Sequence, residues 1–485
     1  MTETDPISNT NPDAMPTDGA DTIVAISTPP GRGGIGIVRL SGPQASSIAA
    51  HLVRLRQPLE HARARLADVL EDSSSSDQVR IDEALVTFFA APNSYTAEDL
   101  IEIAAHGSPV VLGLLLDRAL ALGARLAAPG EFTQRAFLSG RLDLTQAEAV
   151  RDLIEAQTLT QARQAASQMG GALSRRVQPV KLALVELIAL LEAGIDFAED
   201  DIDVTGATEI ARRIGELNPP LAALEASFAR GLIVHDGLTL AIVGRPNAGK
   251  SSLFNRLVER DRAIVTATPG TTRDLVTERI SLDGIPLELV DTAGLRGGLH
   301  APLSETPVEV LEEAEQLGIA RSREALADAA LVLVVLDATQ PLNAEERGLL
   351  EAVRNRPALV VVNKCDLGAG RQSTPQEISI DGLPALHTSA LTGAGIPALR
   401  ERILALATGG AASEPGMLTS LRHHKAITGT LAALDDAAQA NRNAIPHEMI
   451  LLDLYRALWA LDSLTGQTTS DDILNLIFST FCIGK

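Results

Sequence analysis

The stretch LTLAIVGRPNAGKSS, Leu238–Ser252, decides how this chain of 485 residues is read. Leu238–Val243 is an apolar run of strand length, and it leads straight into Gly244-x-x-x-x-Gly249-Lys250-Ser251. A glycine-rich loop between a strand and a helix start turns several backbone N–H groups toward one spot. Together with the helix N-terminus they surround a polyphosphate. Lys250 is placed to reach the β- and γ-phosphates and Ser251 to ligate Mg²⁺. Asn247, Ala248, Gly249 and Ser252 complete the expected contacts of the loop.

Three further motifs follow in order. LELVDTAG is a strand ending in Asp291, with Thr292, Ala293 and Gly294 next; an acid here can hold Mg²⁺ through water and Gly294 can sense the γ-phosphate. ALVVVNKCD is a strand ending in Asn363, Lys364, Cys365 and Asp366. The Asp366 carboxylate can accept from guanine N1–H and N2–H₂, a donor pair adenine lacks, so the expected nucleotide is GTP. Ser389, Ala390 and Leu391 of TSAL can close over the base. Cys365 reads as a small buried filler. The place after DxxG, where a glutamine often orients the attacking water, is Leu295, and no arginine finger is evident. Asn247 offers an amide oxygen to a monovalent cation, or else only a local turn hydrogen bond. TATPGTTRD, Thr266–Asp274, has the carbonyls and hydroxyls to complete a cation site, with Thr272 as a second Mg²⁺ ligand.

Outward from this centre, strands alternate with helical patterns from Leu238 to about Ala407, the mark of a doubly wound α/β unit. Residues 21 to about 140 mix strands, Ile35–Gly42 and Ala84–Ala90, with a helix at Val110–Gly123, as an α+β domain does. The pattern is helical from Leu142 to about Ser227 and again from about Ser420. The expected fold is therefore multidomain: 21–140 α+β, a discontinuous helical domain at 141–235 and 420–485, and an inserted Ras-like P-loop domain at 236–407, with 408–419 as linker. Residues 1–20 are polar, with no Lys or Arg before Arg32, and read as a disordered tail rather than a leader. Two cysteines cannot build a disulfide framework, which fits a reducing cytoplasm. Leu331–Leu336 is too short to span a bilayer, and Lys181, Glu186 and Glu192 interrupt Val180–Gly194, so no membrane segment is expected. The net charge of −21 argues against a broad electrostatic grip on nucleic acid and leaves room only for a local basic patch.

GRPNAGKSS, PGTTRD, DTAGLR and the terminal FCIGK together resemble the MnmE (TrmE) family of tRNA modification GTPases. The resemblance extends to TPPGRGGIGIVRLSG, PNSYTAEDLIEI and PGEFTQRAFLSGRLDLTQAEAV, and so runs from about residue 21 to the end. It implies a GTPase activated by K⁺, with contacts from Asn247, Thr266, Thr268 and Thr271, and places Ala267, Pro269 and Gly270 in the same nucleotide-contacting loop. It implies a glutamate that orients water, which EQLGI matches at Glu315, with Glu312 and Glu313 as rivals. GGLHAPLSETPV, Gly297–Val308, looks inserted before it. The resemblance further implies that Arg39, Glu102, Arg141 and Lys485 contact a 5-formyl- or methylene-tetrahydrofolate, that the amino-terminal domain makes a homodimer, and that Cys482 serves the modification chemistry. Taken alone, Cys482 reads as a small residue packing at a helix end. The implied reaction joins a folate carbon and an amine to C5 of the wobble uridine of certain tRNAs, shared with the FAD-binding MnmG in a heterotetramer. Two departures from the family's pattern are Ser108, in Ala105-His106-Gly107-Ser108, and Arg141, where the family has lysine. A ribosome-assembly GTPase and a nucleotide-controlled switch are the alternatives; either would share the α/β unit without a folate domain.

Overall fold

Period-2 patterns in the first third become strands, and their apolar faces decide the layering. The computed structural model describes residues 21–71, 79–196, 206–258, 277–291, 329–367, 378–410, 414–467, 477–478 and 481–484. It contains β1 (Ile23–Ile26), β2 (Gly33–Ser41), α1 (Ala45–Leu52), β3 (Val53–Leu55), β4 (Ala64–Leu70), β5 (Arg80–Phe89), β6 (Leu100–Gly107), α2 (Pro109–Ala121), β7 (Arg125–Leu126), α3 (Glu131–Leu138) and α4 (Leu144–Glu155). These strands form one sheet in the order β3-β4-β5-β6-β2-β1-β7. Val38, Leu40, Val86, Ile101 and Ile103 pack with Leu52 and Leu115 of α1 and α2 on one face. Arg39 and Glu102 point to the other face, directly opposite each other in the β2–β6 register.

The remainder runs α5 (Leu159–Met169), α6 (Ala172–Asp196), α7 (Ala207–Asp236), β8 (Leu238–Val243), α8 (Lys250–Val258), β9 (Thr277–Leu282), β10 (Ile285–Asp291), β11 (Leu331–Asp337), α9 (Ala344–Val353), β12 (Ala358–Asn363), β13 (Ile378–Ile380), β14 (Leu383–His387), α10 (Ile396–Thr408), α11 (Leu421–Arg442) and α12 (His447–Thr465). The second sheet has the order β13-β14-β12-β11-β8-β10-β9. Its central strands are parallel and buried on both faces, which is why LVLVVLD reads as a continuous apolar run. Among the described residues no helix is long and apolar enough to cross a membrane.

The chain divides into two compact units, Met1–Arg151 with Asp462–Lys485, and Asp152–Leu461. The division falls inside α4 and α12. The carboxy-terminal segment groups with the amino-terminal sheet because Phe478 and Phe481 pack on Leu144 and Ala147. Of the helical pattern expected from about Ser420 to the end, residues 468–476 and 479–480 lie outside the described residues, as does the expected tail at 1–20.

Within the second unit, helices and sheet meet at α5. Thr158 caps α5 in a capping box with Gln161, and its hydroxyl also donates to Gly284 O at 2.7 Å in the β9–β10 turn. Gln161 Nε2 donates to His235 O at 2.6 Å at the end of α7. The His235 ring bridges two acids, Nε2 lying 3.3 Å from Asp152 Oδ1 and Nδ1 2.6 Å from Asp236 Oδ1. The Asp152 bond, helped by Asp236, outweighs burial and raises this imidazole to about 9 from an ordinary 6.5. A raised folded value means that the His235 contribution to stability is complete below pH 6.5 and is lost as pH rises through about 9. Thermal midpoints are therefore expected to fall across that window, and Asp152→Asn to flatten the fall. An imidazole that titrates near 6.5 by NMR would contradict the clamp.

Candidate functional site

In the second unit, the sequence between β8 and α8 can make its loop only because three residues take left-handed backbone conformations: Gly244, Asn247 and Gly249 have φ of +147°, +63° and +92°. A Cβ at Gly249 would stand 2.2 Å from Asn363 Nδ2, so only glycine lets β12 approach the loop. Asn363 uses that approach. Its Nδ2 donates to Ala248 O at 3.1 Å, and its Oδ1 accepts from Ala390 N at 3.0 Å. One side chain thus ties the phosphate loop to the loop carrying Ser389, Ala390 and Leu391. Arg256 of α8 adds a second tie, donating to Ala390 O at 3.0 Å and Leu391 O at 2.6 Å. Ser389 and Ala390 are buried, whereas Leu391 is exposed, as a cover over a ligand would be.

Lys250 Nζ rests on Gly244 O at 2.7 Å and Arg245 O at 2.9 Å, within its own loop. Ser251 and Ser252 are exposed in the first turn of α8, and Asn247 is exposed at the loop's tip. Their oxygens are hard donors, the type that suits Mg²⁺ and K⁺. Asp366 follows β12 half-buried, in a turn fixed by Cys365 N donating to Thr388 O at 3.1 Å. Cys365 is half-buried rather than buried, and its thiol is pushed up by burial and by Asp366. β10 ends at Asp291 as the motif requires. Thr266, Ala267, Thr268, Pro269, Gly270, Thr271, Thr272, Thr292, Ala293, Gly294 and Glu315 lie outside the described residues, as do Leu295, Glu312, Glu313 and the stretch 297–308.

Behind this loop the motif residue Lys364 meets charges that the motifs did not single out, Asp337, Arg245 and Glu346. Lys364 Nζ donates to Asn247 O at 2.6 Å and to Asp337 Oδ2 at 2.8 Å. Asp337, at the end of β11, is buried. Burial would raise its carboxyl, but bonds from Lys364 and Thr339 outweigh it and hold it at about 2. Arg245 of the loop lies 3.8 Å from the same oxygen and 3.2 Å from Glu346 Oε1. Lys364 therefore connects the turn that carries Asp366 to Asn247, with Asp337 as its anchor. Asp337 sits in LVLVVLD and Glu346 in a helical capping box, positions where an acid normally signals only a strand end or a helix start.

In the first unit, the structure gathers a second set. Arg39 donates to Glu102 Oε1 from Nε at 3.0 Å and from Nη2 at 2.7 Å. Its Nη1 donates to Gly484 O at 3.3 Å, 445 positions along the chain. The guanidinium lies 5.5 Å from the Phe132 ring and 5.8 Å from the Tyr95 ring. Arg141 lies 5.2 Å from the same tyrosine and donates to Tyr95 O at 2.8 Å. Tyr95 Oη pairs with Thr133 Oγ1 at 2.9 Å, and burial raises its phenol above the ordinary value. Arg39, Glu102 and Arg141 thus converge with the tail around Tyr95, which no motif singles out. The tail is held by Cys482 O accepting from Gly130 N at 3.3 Å and by a bridge between Ile483 and Pro129. Gly484 has φ +92°, and a Cβ there would stand 2.7 Å from Ile26 O. Cys482 is exposed; Lys485 lies outside the described residues.

Residues 22–141 match the family described as GTP-binding protein TrmE N-terminus, and residues 144–482 match the MnmE helical domain. The protein named tRNA modification GTPase MnmE of Koribacter versatilis is 57% identical over 470 residues, covering 96% of this chain and 99% of that protein. Its namesake from Nitrosomonas europaea is 42% identical over 468 residues, covering 96% and 99%. Among solved structures, the G domain of the T. maritima FeoB iron transporter is 27% identical and covers 35% of this chain and 98% of that one, with a TM-score of 0.24.

Proposed function

The chain belongs to the MnmE family of tRNA modification GTPases, and from that premise we propose that it is a potassium-activated GTP hydrolase that helps build an aminomethyl-type group, carboxymethylaminomethyl, at C5 of the wobble uridine of certain tRNAs. MnmG, an FAD protein, shares the work in a heterotetramer, and a tetrahydrofolate derivative supplies the carbon. The observation that carries this reading is the convergence at Arg39 of Glu102, Tyr95, Phe132 and the carboxy-terminal tail. A switch or a ribosome-assembly factor has no need of such a second site.

At the nucleotide, Asp366 would select guanine, Asn363 would hold phosphate loop and base loop in register, and Lys250 would turn from its carbonyls to the phosphates. Ser251 and Thr272 would hold Mg²⁺. Asn247, with Thr266, Thr268 and Thr271, would hold K⁺, which when bound supplies positive charge to the phosphates in place of an arginine finger. Glu315 would orient water. At the second site, Arg39 and Arg141 suit a glutamate tail, Glu102 can accept from a pterin's N–H groups, and Lys485 would reach the same ligand. A homodimer is supported by exposed apolar residues on β4 and β5 of the first sheet, where the register partners Leu66 and Leu85 are 39% and 49% exposed and Ile81 of β5 is 41% exposed. The division proposed is 21–140, 141–235 with 420–485, and 236–407.

Two measurements on the full chain test the reading. It is expected to bind labelled 5-formyltetrahydrofolate and to hydrolyse GTP much faster in K⁺ than in Na⁺. Equal rates in the two salts would sink the cation assignment, and absence of folate binding the one-carbon assignment.

A further inference from the structure

A chain with a net charge of −21 repels a polyanion over most of its surface, so its own grip on RNA has to be local. Helices α6 and α7 supply such a place. Arg175 and Arg176 of α6 and Arg212 and Arg213 of α7 line one groove of about 700 Å³, against Glu186 and Glu216. Pro179 and Pro220 also line it, and the arginines supply its charged donors.

The guanidinium groups are held in two ways. Arg175 Nη1 donates to Gly170 O at 2.5 Å and Arg176 Nη1 to Gly416 O at 3.1 Å, both backbone carbonyls that leave the positive charge uncancelled. Arg212 pairs with Glu209 at 2.7 Å and also with Glu216, and Arg213 with Glu209 at 2.8 Å. These are exposed pairs one helical turn apart, the kind that contributes little. In such a pair a phosphate oxygen can replace a carboxylate oxygen at small cost. Arginine's planar fork binds phosphate bidentately, which a groove with two arginines on each wall can do repeatedly.

We infer that this groove is where the chain holds the phosphate backbone of its RNA substrate, without reading bases. The inference rests on the tRNA assignment above. Its test is tRNA binding by the full chain across a salt series, for the wild type and for the pairs Arg175→Ala/Arg176→Ala and Arg212→Ala/Arg213→Ala. Each pair is expected to weaken binding about tenfold at low salt and to reduce the slope of log K against log salt by about two. The matching Arg→Lys pairs should keep most of the slope, and GTP hydrolysis should be unchanged throughout. If an alanine pair lowers the thermal midpoint, the Arg→Gln pair is measured in its place. Unchanged affinity and slope in the variants, with a wild type that binds, overturn this inference alone. A wild type that binds no tRNA overturns the tRNA assignment with it. Variants that keep tRNA but lose an acidic protein partner make the groove a protein interface and overturn the RNA reading.

Discussion

Asp366→Asn is expected to weaken GTP binding by about 10²–10⁴-fold while leaving the thermal midpoint nearly unchanged. The carboxylate would accept two hydrogen bonds from guanine, and bonds to a charged acceptor contribute about 1.5–3 kcal/mol each; two of them give the stated range at roughly 1.4 kcal/mol per tenfold. An asparagine presents an N–H₂ where guanine also donates, so one donor on each side is left unpaired. The fold should tolerate the change, because the surrounding loops are held by other groups. Asn363 bridges Ala248 and Ala390, and Arg256 holds Ala390 and Leu391. Xanthine carries a carbonyl where guanine carries the exocyclic amine, so xanthosine triphosphate should bind the variant better than GTP. Titration with both nucleotides reads the result directly. Unchanged GTP affinity would remove Asp366 from base recognition, and a fall in affinity for both nucleotides alike would point to a collapsed loop instead.

What could be read from the sequence divides along a physical line. The phosphate loop was legible because its geometry is local: Gly244 and Gly249 must occupy left-handed conformations and the strand and helix around them are contiguous in sequence. The buried parallel strands were legible as apolar runs for the same reason. The helical pattern around α6 and α7 was legible too, although Pro179, Pro219 and Pro220 sit inside those helices and local propensity argues against each. Tyr95 was not legible. Its place between Arg39 and Arg141 depends on three segments meeting, and nothing in PNSYTAEDL marks a ring that two guanidinium groups will flank. Asp337 and Glu346 were hidden by their own local logic, since each also satisfies a strand end or a helix cap. The arginine groove was anticipated only as room for a local patch, because charge counts along the chain do not show that α6 and α7 place their arginines on one groove.

The carboxy-terminal tail is where local and long-range information meet most sharply, and Cys482→Ser is expected to lower tRNA modification about a hundredfold or more while leaving the fold and GTP hydrolysis intact. Packing alone does not explain a cysteine here. Phe478 and Phe481 carry the burial, whereas Cys482 is exposed, and its segment is tied by the Cys482 carbonyl to Gly130 N and by Ile483 to Pro129. Those are backbone ties, which a serine keeps. An exposed Cys-to-Ser change of this kind shifts stability by no more than about 0.5 kcal/mol. What it removes is the thiol, far more nucleophilic than a serine hydroxyl unless a neighbouring base activates that hydroxyl. The neighbouring Gly484 carbonyl accepts from Arg39, so the tail is delivered to the Arg39–Glu102 pair and not to a random point on the surface. A role in the modification chemistry therefore predicts a large loss of product with little loss of stability, and a packing role predicts the reverse. Mass analysis of wobble nucleosides from cells carrying only the variant, alongside its thermal midpoint and its hydrolysis rate in K⁺, separates the two. Normal modification returns Cys482 to a spacer between Phe481 and Ile483, and an unfolded variant makes its role structural.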